Sequence, residues 1–166
     1  LGPIPVSDSN NPLPKIPQGA IAVFDINVLR PSFLAKKGIP SIYYSDELME
    51  QFLSDIAEVI DDLGMVMVLK TKRKINNLDS VRHRKIMKAF STKNNVIVVD
   101  PLINAERVID NTSAALSIPF TSTGIIANYR GKHSAFYDPS GTLLNDENFT
   151  HGVDLLQNIS DLKLWL

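Results

Sequence analysis

The chain has 166 residues, of which 44% are hydrophobic and 21% charged, and its formal net charge is −1. That balance suits one folded domain, which at this size buries roughly two-thirds of its unfolded surface, and it excludes a disordered or collagen-like chain. Cysteine is absent, so disulfides, thiolate–zinc sites and cysteine nucleophiles are excluded together; the apolar runs are too short to span a membrane as a helix, and no basic-then-apolar leader opens the chain.

The first residue is Leu1, not Met, which reads as the start of a piece cut from a longer protein. Pro3, Pro5, Pro12, Pro14 and Pro17 crowd the opening with Ser and Asn between them, a composition that predicts an extended arm over 1–18 and a folded domain over 19–166. Ala20–Phe24 is a short, small and branched apolar run and predicts a buried strand. Pro31, Gly38 and Pro40 predict a long loop over 28–44. Ser45, followed by Asp46 and Glu47, forms a helix start, and Leu48, Phe52, Ile56, Val59 and Leu63 recur at helical spacing opposite an acidic face; Gly64 stops that helix. Met65–Leu69 predicts a second strand. Val81–Ser91 predicts a basic helix with Val81, Ile86, Met87 and Phe90 as its apolar contacts. Val96–Val99 predicts a third strand, Ile103–Ile109 a short helix, Ala114–Ile118 a fourth strand, Thr121–Tyr129 a helix and Ser134–Tyr137 a fifth strand. The tail from Val153 to Leu166 reads as helical. Strands this uniformly apolar, alternating with helices, predict a three-layer α/β domain of Rossmann-like character, with a mostly parallel sheet of five to six strands.

In such sheets ligands sit outside the carboxyl ends of the strands. That rule selects Asp25–Val28, Lys70–Lys74, Asp100–Glu106, Phe120–Gly124 and Asp138–Gly141. At Pro119-Phe120-Thr121-Ser122-Thr123-Gly124 three hydroxylated residues open a helix, where free amides and hydroxyls suit a phosphate; a plain Ser/Thr cap is the blander reading, and it needs only one of them. The segment 70–93 holds nine cations against Asp79 alone. Lys70, Lys72, Arg73 and Lys74 within it suit a diphosphate, and a solvated helix face is the alternative. Asp100 and Glu106 suit a base or ribose, although an Asp-Pro turn that ends a strand is the simpler reading of Asp100 alone. No Walker or Gly-x-Gly-x-x-Gly string occurs. Asp25-Ile26-Asn27-Val28 has a distant likeness to a haloacid-dehalogenase-type phosphatase loop, with Asn27 in place of its second acid. His83, His133 and His151 lack metal spacing; His83 reads as a surface residue of the basic helix, and no metal site is expected.

Val98-Val99-Asp100-Pro101, Ala105-Glu106-Arg107-Val108-Ile109, Ile118-Pro119-Phe120-Thr121-Ser122-Thr123-Gly124 and Ala135-Phe136-Tyr137-Asp138-Pro139 together resemble bacterial surface-polysaccharide biosynthesis proteins of the family named for its Pro-Phe-Thr-Ser motif. More distantly they are similar to GT-B glycosyltransferases. The resemblance implies the C-terminal, donor-binding half of a GT-B-like enzyme of capsule or lipopolysaccharide assembly. Thr121, Ser122 and Thr123 would hold the donor phosphate, with Lys70 and Arg73 as its cations. The nucleotide-sugar is the implied substrate, with no further cofactor. A polysaccharide or glycolipid acceptor would be held by an N-terminal half outside this chain. The implied place is the cytoplasm, with peripheral membrane association through the parent protein and no nucleic-acid partner. Asp25 is the candidate base. The alternatives are a nucleotide- or sugar-phosphate-binding module without catalysis, and a phosphatase-like hydrolase.

Overall fold

The computed structural model describes residues 10–37, 45–145 and 150–166. Within them, β1 (Ile21–Phe24), β2 (Met67–Lys70), β3 (Val96–Val99), β4 (Ala114–Ser117), β5 (His133–Tyr137) and β6 (Asp154–Leu156) form one sheet in the order β3-β2-β1-β4-β5-β6. Every pairing is parallel. The carboxyl-end residues Val99, Lys70, Phe24, Ser117 and Phe136 stand in register across five of the strands.

Helices cover both faces because side chains alternate along each strand. Ile21, Val23, Met67, Leu69 and Leu116 point to the face covered by α2 (Asp46–Asp62), α3 (Val81–Phe90) and α6 (Ile159–Trp165). Ala20, Ala22, Phe24, Val68 and Ala115 point to the face covered by α4 (Ala105–Asp110) and α5 (Ser122–Tyr129). The three-layer α/β expectation is met. Half-buried Leu13 and Ile16 lie against the α4/α5 cluster, and Arg107 donates to the Asn11 carbonyl.

The long helix α2 forms where the sequence places it. Ser45 accepts from the Leu48 amide at 3.1 Å, and the buried face runs Met49, Phe52, Leu53, Ile56, Ala57, Val59, Ile60. Gly64 ends it with φ +65°, its amide bonded to Asp61 and that of Met65 to Ile60, the paired bonds of a Schellman stop. Ser80 caps α3 in the same manner, accepting from His83.

The structure corrects several expectations. The loop expected over 28–44 contains a helix, α1 (Pro31–Lys36), with Pro31 in its first turn, where proline's missing N–H costs nothing; residues 38–44 lie outside the described part. The tail expected to be helical from Val153 begins instead with β6, which completes the sheet beside β5, and Asn158 then caps α6 by accepting from Asp161. Val81 is not an apolar contact of α3, being 53% exposed, and β3 is an edge strand whose Val98 is also largely exposed. His83, expected at the surface, is fully buried.

Candidate functional site

The chain passes from β1 outward through β2 and β3, then returns to β4 on the other side of β1. The loops that follow β1 and β4 therefore diverge to opposite faces, and the opening between them is the switch point where open α/β sheets bind ligands.

Past β4, Pro119 is buried and Phe120 takes φ +64°, a left-handed conformation that a bulky side chain adopts only when its surroundings enforce it. The bend turns Thr121 back on the strand, and its hydroxyl donates to the Ile118 carbonyl at 2.8 Å and lies 3.3 Å from that of Thr123. Thr121 is the N-cap of α5 by position, yet its side chain makes no cap bond. Among the described residues no side chain caps the first-turn amides of α5, which begin beside the exposed Ser122. Gly124 faces inward. A Cβ there would stand 2.7 Å from Phe136 Cε1 and 2.8 Å from Ser117 Oγ, so this glycine lets α5 seat on β4 and β5. The close approach at Gly124 is thus between helix and sheet.

Across the switch point, strand alternation carries Asp25 to the α2/α3 face, directly after Phe24 on the other. Its carboxyl is sealed from solvent, and neither oxygen has a hydrogen-bond partner among the described residues. His83 Nε2 stands 3.7 Å away, too far for a hydrogen bond, and both ring nitrogens are likewise unpartnered. Burial pushes the Asp25 carboxyl up to about 7; Lys70 pulls it down and Asp79 pushes it further up. Burial also lowers the His83 imidazole, against the attraction of Asp79 and Asp46. A sealed carboxyl that holds its proton near neutrality offers neither a nucleophile nor a reachable base. The phosphatase-like alternative and the catalytic role anticipated for Asp25 have no exposed group to act through.

The remaining expected residues separate. Lys70 projects to the α4/α5 face, as Ser117 does. Buried Phe24 stands between them, and two strand spacings place them roughly 10 Å apart. The Lys70 ammonium donates to the carbonyls of Thr71 and Pro101, toward β3, and burial lowers its affinity for the proton. Arg73 is exposed, and its backbone is tied to the β1 loop: its amide donates to Asn27 Oδ1 at 3.0 Å. Asp100 accepts from the Leu102 amide and from Asn11, which is the strand-ending turn. Glu106 pairs with Arg130 at 3.1 Å. Arg130 follows the last turn of α5, about 14 Å along that helix from Thr121. Asp138 is used by its own loop, accepting from Ser140, Thr142 and Leu143. His133 stacks on Trp165 at 4.0 Å between ring centres, and His151 precedes β6 in a left-handed turn. Among the described residues no three of His, Asp and Glu converge as metal ligands, and no helix is long and apolar enough to cross a membrane.

Sequence reasoning missed His83. A histidine in a basic helix reads as polar, and only the register of α3 against the end of β1 turns it inward. It also passed over Ser117, whose buried hydroxyl has no partner among the described residues and lies under the first turn of α5.

A parallel sheet in the order 3-2-1-4-5-6 with helices on both faces defines a Rossmann-like α/β domain. The chain belongs to the polysaccharide biosynthesis PFTS motif proteins: the model of that family matches residues 1–166, and Pro119-Phe120-Thr121-Ser122 spell its motif. No curated protein matches the sequence. Among solved structures, the chain is similar to the UDP-GlcNAc 2-epimerase of Methanocaldococcus jannaschii, determined with UDP-GlcNAc and UDP, at 10% identity and a TM-score of 0.52, over 89% of this chain and 38% of that one. It is also similar to KpsC of Thermosulfurimonas dismutans, a beta Kdo 2,4 transferase, at 10% identity and a TM-score of 0.50, over 95% of this chain and 47% of that one. The chain spans less than half the length of either, and identities this low show a shared fold.

Proposed function

We propose that this chain is the donor-binding half of a glycosyltransferase that builds bacterial surface polysaccharide of the capsule or lipopolysaccharide kind. The observation that carries the reading is the start of α5, where the family's own motif leaves a turn of backbone amides uncapped at the switch point. A nucleoside diphosphate or monophosphate tail fits there, taking the amides as donors and the positive end of the helix as a partial charge. Ser122 and Thr123 would add hydroxyl donors. As the sugar–phosphate bond breaks, the same groups would stabilise charge on the departing phosphate, which is electrostatic catalysis. Membership of a polysaccharide-biosynthesis family and the fold shared with a UDP-sugar epimerase and a Kdo transferase support a nucleotide-sugar as the ligand.

The acceptor and its activating base would come from the other half of such an enzyme. This proposal puts the parent protein in the cytoplasm, against the membrane where the acceptor glycolipid lies. A second reading, a nucleotide-binding module without its own catalysis, is favoured by one observation: the carboxyl nearest the switch point is sealed. Calorimetric titration of the chain with CMP, CDP, UDP and GDP tests the binding common to both. One nucleotide should bind, and Thr121→Ala with Ser122→Ala should weaken it about tenfold, the loss of roughly one charge-assisted hydrogen bond. Unchanged affinity in the double variant overturns the assignment of the phosphate to this turn.

A further inference from the structure

We propose that the hollow between α3 and the exposed edge strand β3 is a second anion site, which takes the phosphate of a phosphate ester whose organic part lies on an apolar floor. The hollow has a volume of about 370 Å³, within the range of small-ligand sites. Its floor is Ile75, Met87, Val98 and Val99, and Lys74, Arg84 and Lys88 stand around it. It lies over the ends of β2 and β3, and β1 stands between these strands and β4 with its Thr121 corner. The two sites share no lining residue, so this inference stands or falls apart from the donor reading.

The charges decide between a site and a solvated face. On α3, Arg82 is used by the fold, with its guanidinium bridging Glu47 and Glu50 of α2. Arg84 and Lys88 are four residues apart on the same helix, where like charges repel. Among the described residues neither they nor Lys74 has an acidic partner. Arg84 Nε is out of solvent contact and has no acceptor there. A guanidinium held against the protein with an unanswered N–H, flanked by two more cations, is an arrangement that an anion relieves. The hydroxyls at the rim leave that task to the cations: Thr71 donates to the Arg73 carbonyl and Ser91 to that of Lys88. A bare inorganic ion would use the charges and leave the floor wet. The exposed Val98 beside Met87 favours a ligand that carries an apolar or planar group next to its phosphate.

The test follows the Arg84 Nε–H resonance of the intact chain during titration with inorganic phosphate and with phenyl phosphate. Vesicles of neutral lipid with and without phosphatidic acid provide a sedimentation arm. Phenyl phosphate should shift Arg84 saturably and bind about tenfold tighter than inorganic phosphate. Arg84→Gln, and separately Lys88→Gln, should each weaken it at least about fivefold, whereas Lys85→Gln, which removes a charge from the same helix outside the hollow, should not. Lys74→Gln, in the preceding loop, repeats the test away from the helix should either α3 variant fold poorly. Thr121→Ala with Ser122→Ala should leave this affinity unchanged. Binding to phosphatidic acid vesicles alone, with the same sensitivity to Arg84 and Lys88, identifies a lipid phosphate as the source of the ester. Absence of a saturable Arg84 shift together with no added sedimentation on phosphatidic acid vesicles, or equal weakening by Lys85→Gln, overturns the proposal.

Discussion

Asp25→Asn should make the protein more stable at pH 8 than at pH 4, relative to the unaltered chain. The Asp25 carboxyl titrates at 3.8 when unfolded and is pushed by burial up to about 7 in the fold. Between those values the folded state keeps a proton that the unfolded state has lost, so stability falls as pH rises, by about 1.4 kcal/mol per pH unit. Over some three units the loss approaches about 4 kcal/mol; it is absent below the unfolded value and complete above the folded one. Asparagine has no such proton. It leaves a buried amide that costs a similar amount at every pH, so the diagnostic quantity is the change in the difference between the two proteins. His83 adds the opposite trend: its imidazole is lowered by burial, so its neutral form contributes stability above the unfolded value of 6.5 that is lost as pH falls. That trend is common to both proteins. Urea unfolding at half-unit steps from pH 4 to 8 should show Asp25→Asn gaining about 4 kcal/mol on the unaltered chain across the range, or roughly 10 °C in melting temperature for a chain of this size. A constant difference would mean that the fold leaves the Asp25 carboxyl unshifted, and a gain by Asp25→Asn toward acid that it is ionised and paired; in either case the reasoning fails.

Two further outcomes concern the Pro-Phe-Thr-Ser corner. Gly124→Ala gains helix propensity but drives a methyl to 2.7 Å from the Phe136 ring, and it should destabilise by about 1–3 kcal/mol as α5 is pushed off the sheet, read by thermal unfolding; Phe136→Leu in the same chain should recover part of the loss. Phe120→Gly removes a left-handed side chain worth about 1–3 kcal/mol of strain while freeing the unfolded backbone, so its melting temperature should stay within a few degrees, but nucleotide affinity should fall because the turn is no longer held; affinity equal to that of the unaltered chain would sink the link between strain and site.

The strands and the long helix were legible because their patterns are local. Ala20–Phe24 and Val96–Val99 are bounded apolar runs, and Ser45, the helical spacing behind it and Gly64 mark both ends of α2 with chemistry that acts within a few residues. The failures have the opposite origin. Pro31 reads as a breaker until its place in the first turn is known, and Asp154–Leu156 is too short to carry a period and becomes a strand because β5 presents an unpaired edge. The motif Pro119–Thr123 located one side of the switch point. The grouping of cations did not follow from their crowding in the sequence, because helical geometry splits them. Arg82 turns to α2, Arg84 and Lys88 turn to the hollow beside β3, and Lys70 is drawn onto the Pro101 carbonyl. A run of charge in a sequence says how much positive potential is present; the helix phase decides which ligand, if any, feels it.

The features that cost this fold stability are not scattered. Asp25, Asp79 and His83 carry unpartnered buried groups where the loops after β1 and β2 meet, and Ser117 carries another beneath α5. Phe120 holds its left-handed turn just past Ser117. These residues flank the ends of β1, β2 and β4, while the carboxylates that serve structure, Asp100 and Asp138, are satisfied by their own loops. Among the described residues Ser134, near the amino end of β5, and Arg84, whose Nε lies at the hollow beside β3, are the exceptions. A sequence free to optimise stability would replace a sealed carboxyl or a left-handed phenylalanine at little cost elsewhere. Their concentration beside one opening is what a site shaped for a ligand requires, because strain and desolvation are retained where binding returns them.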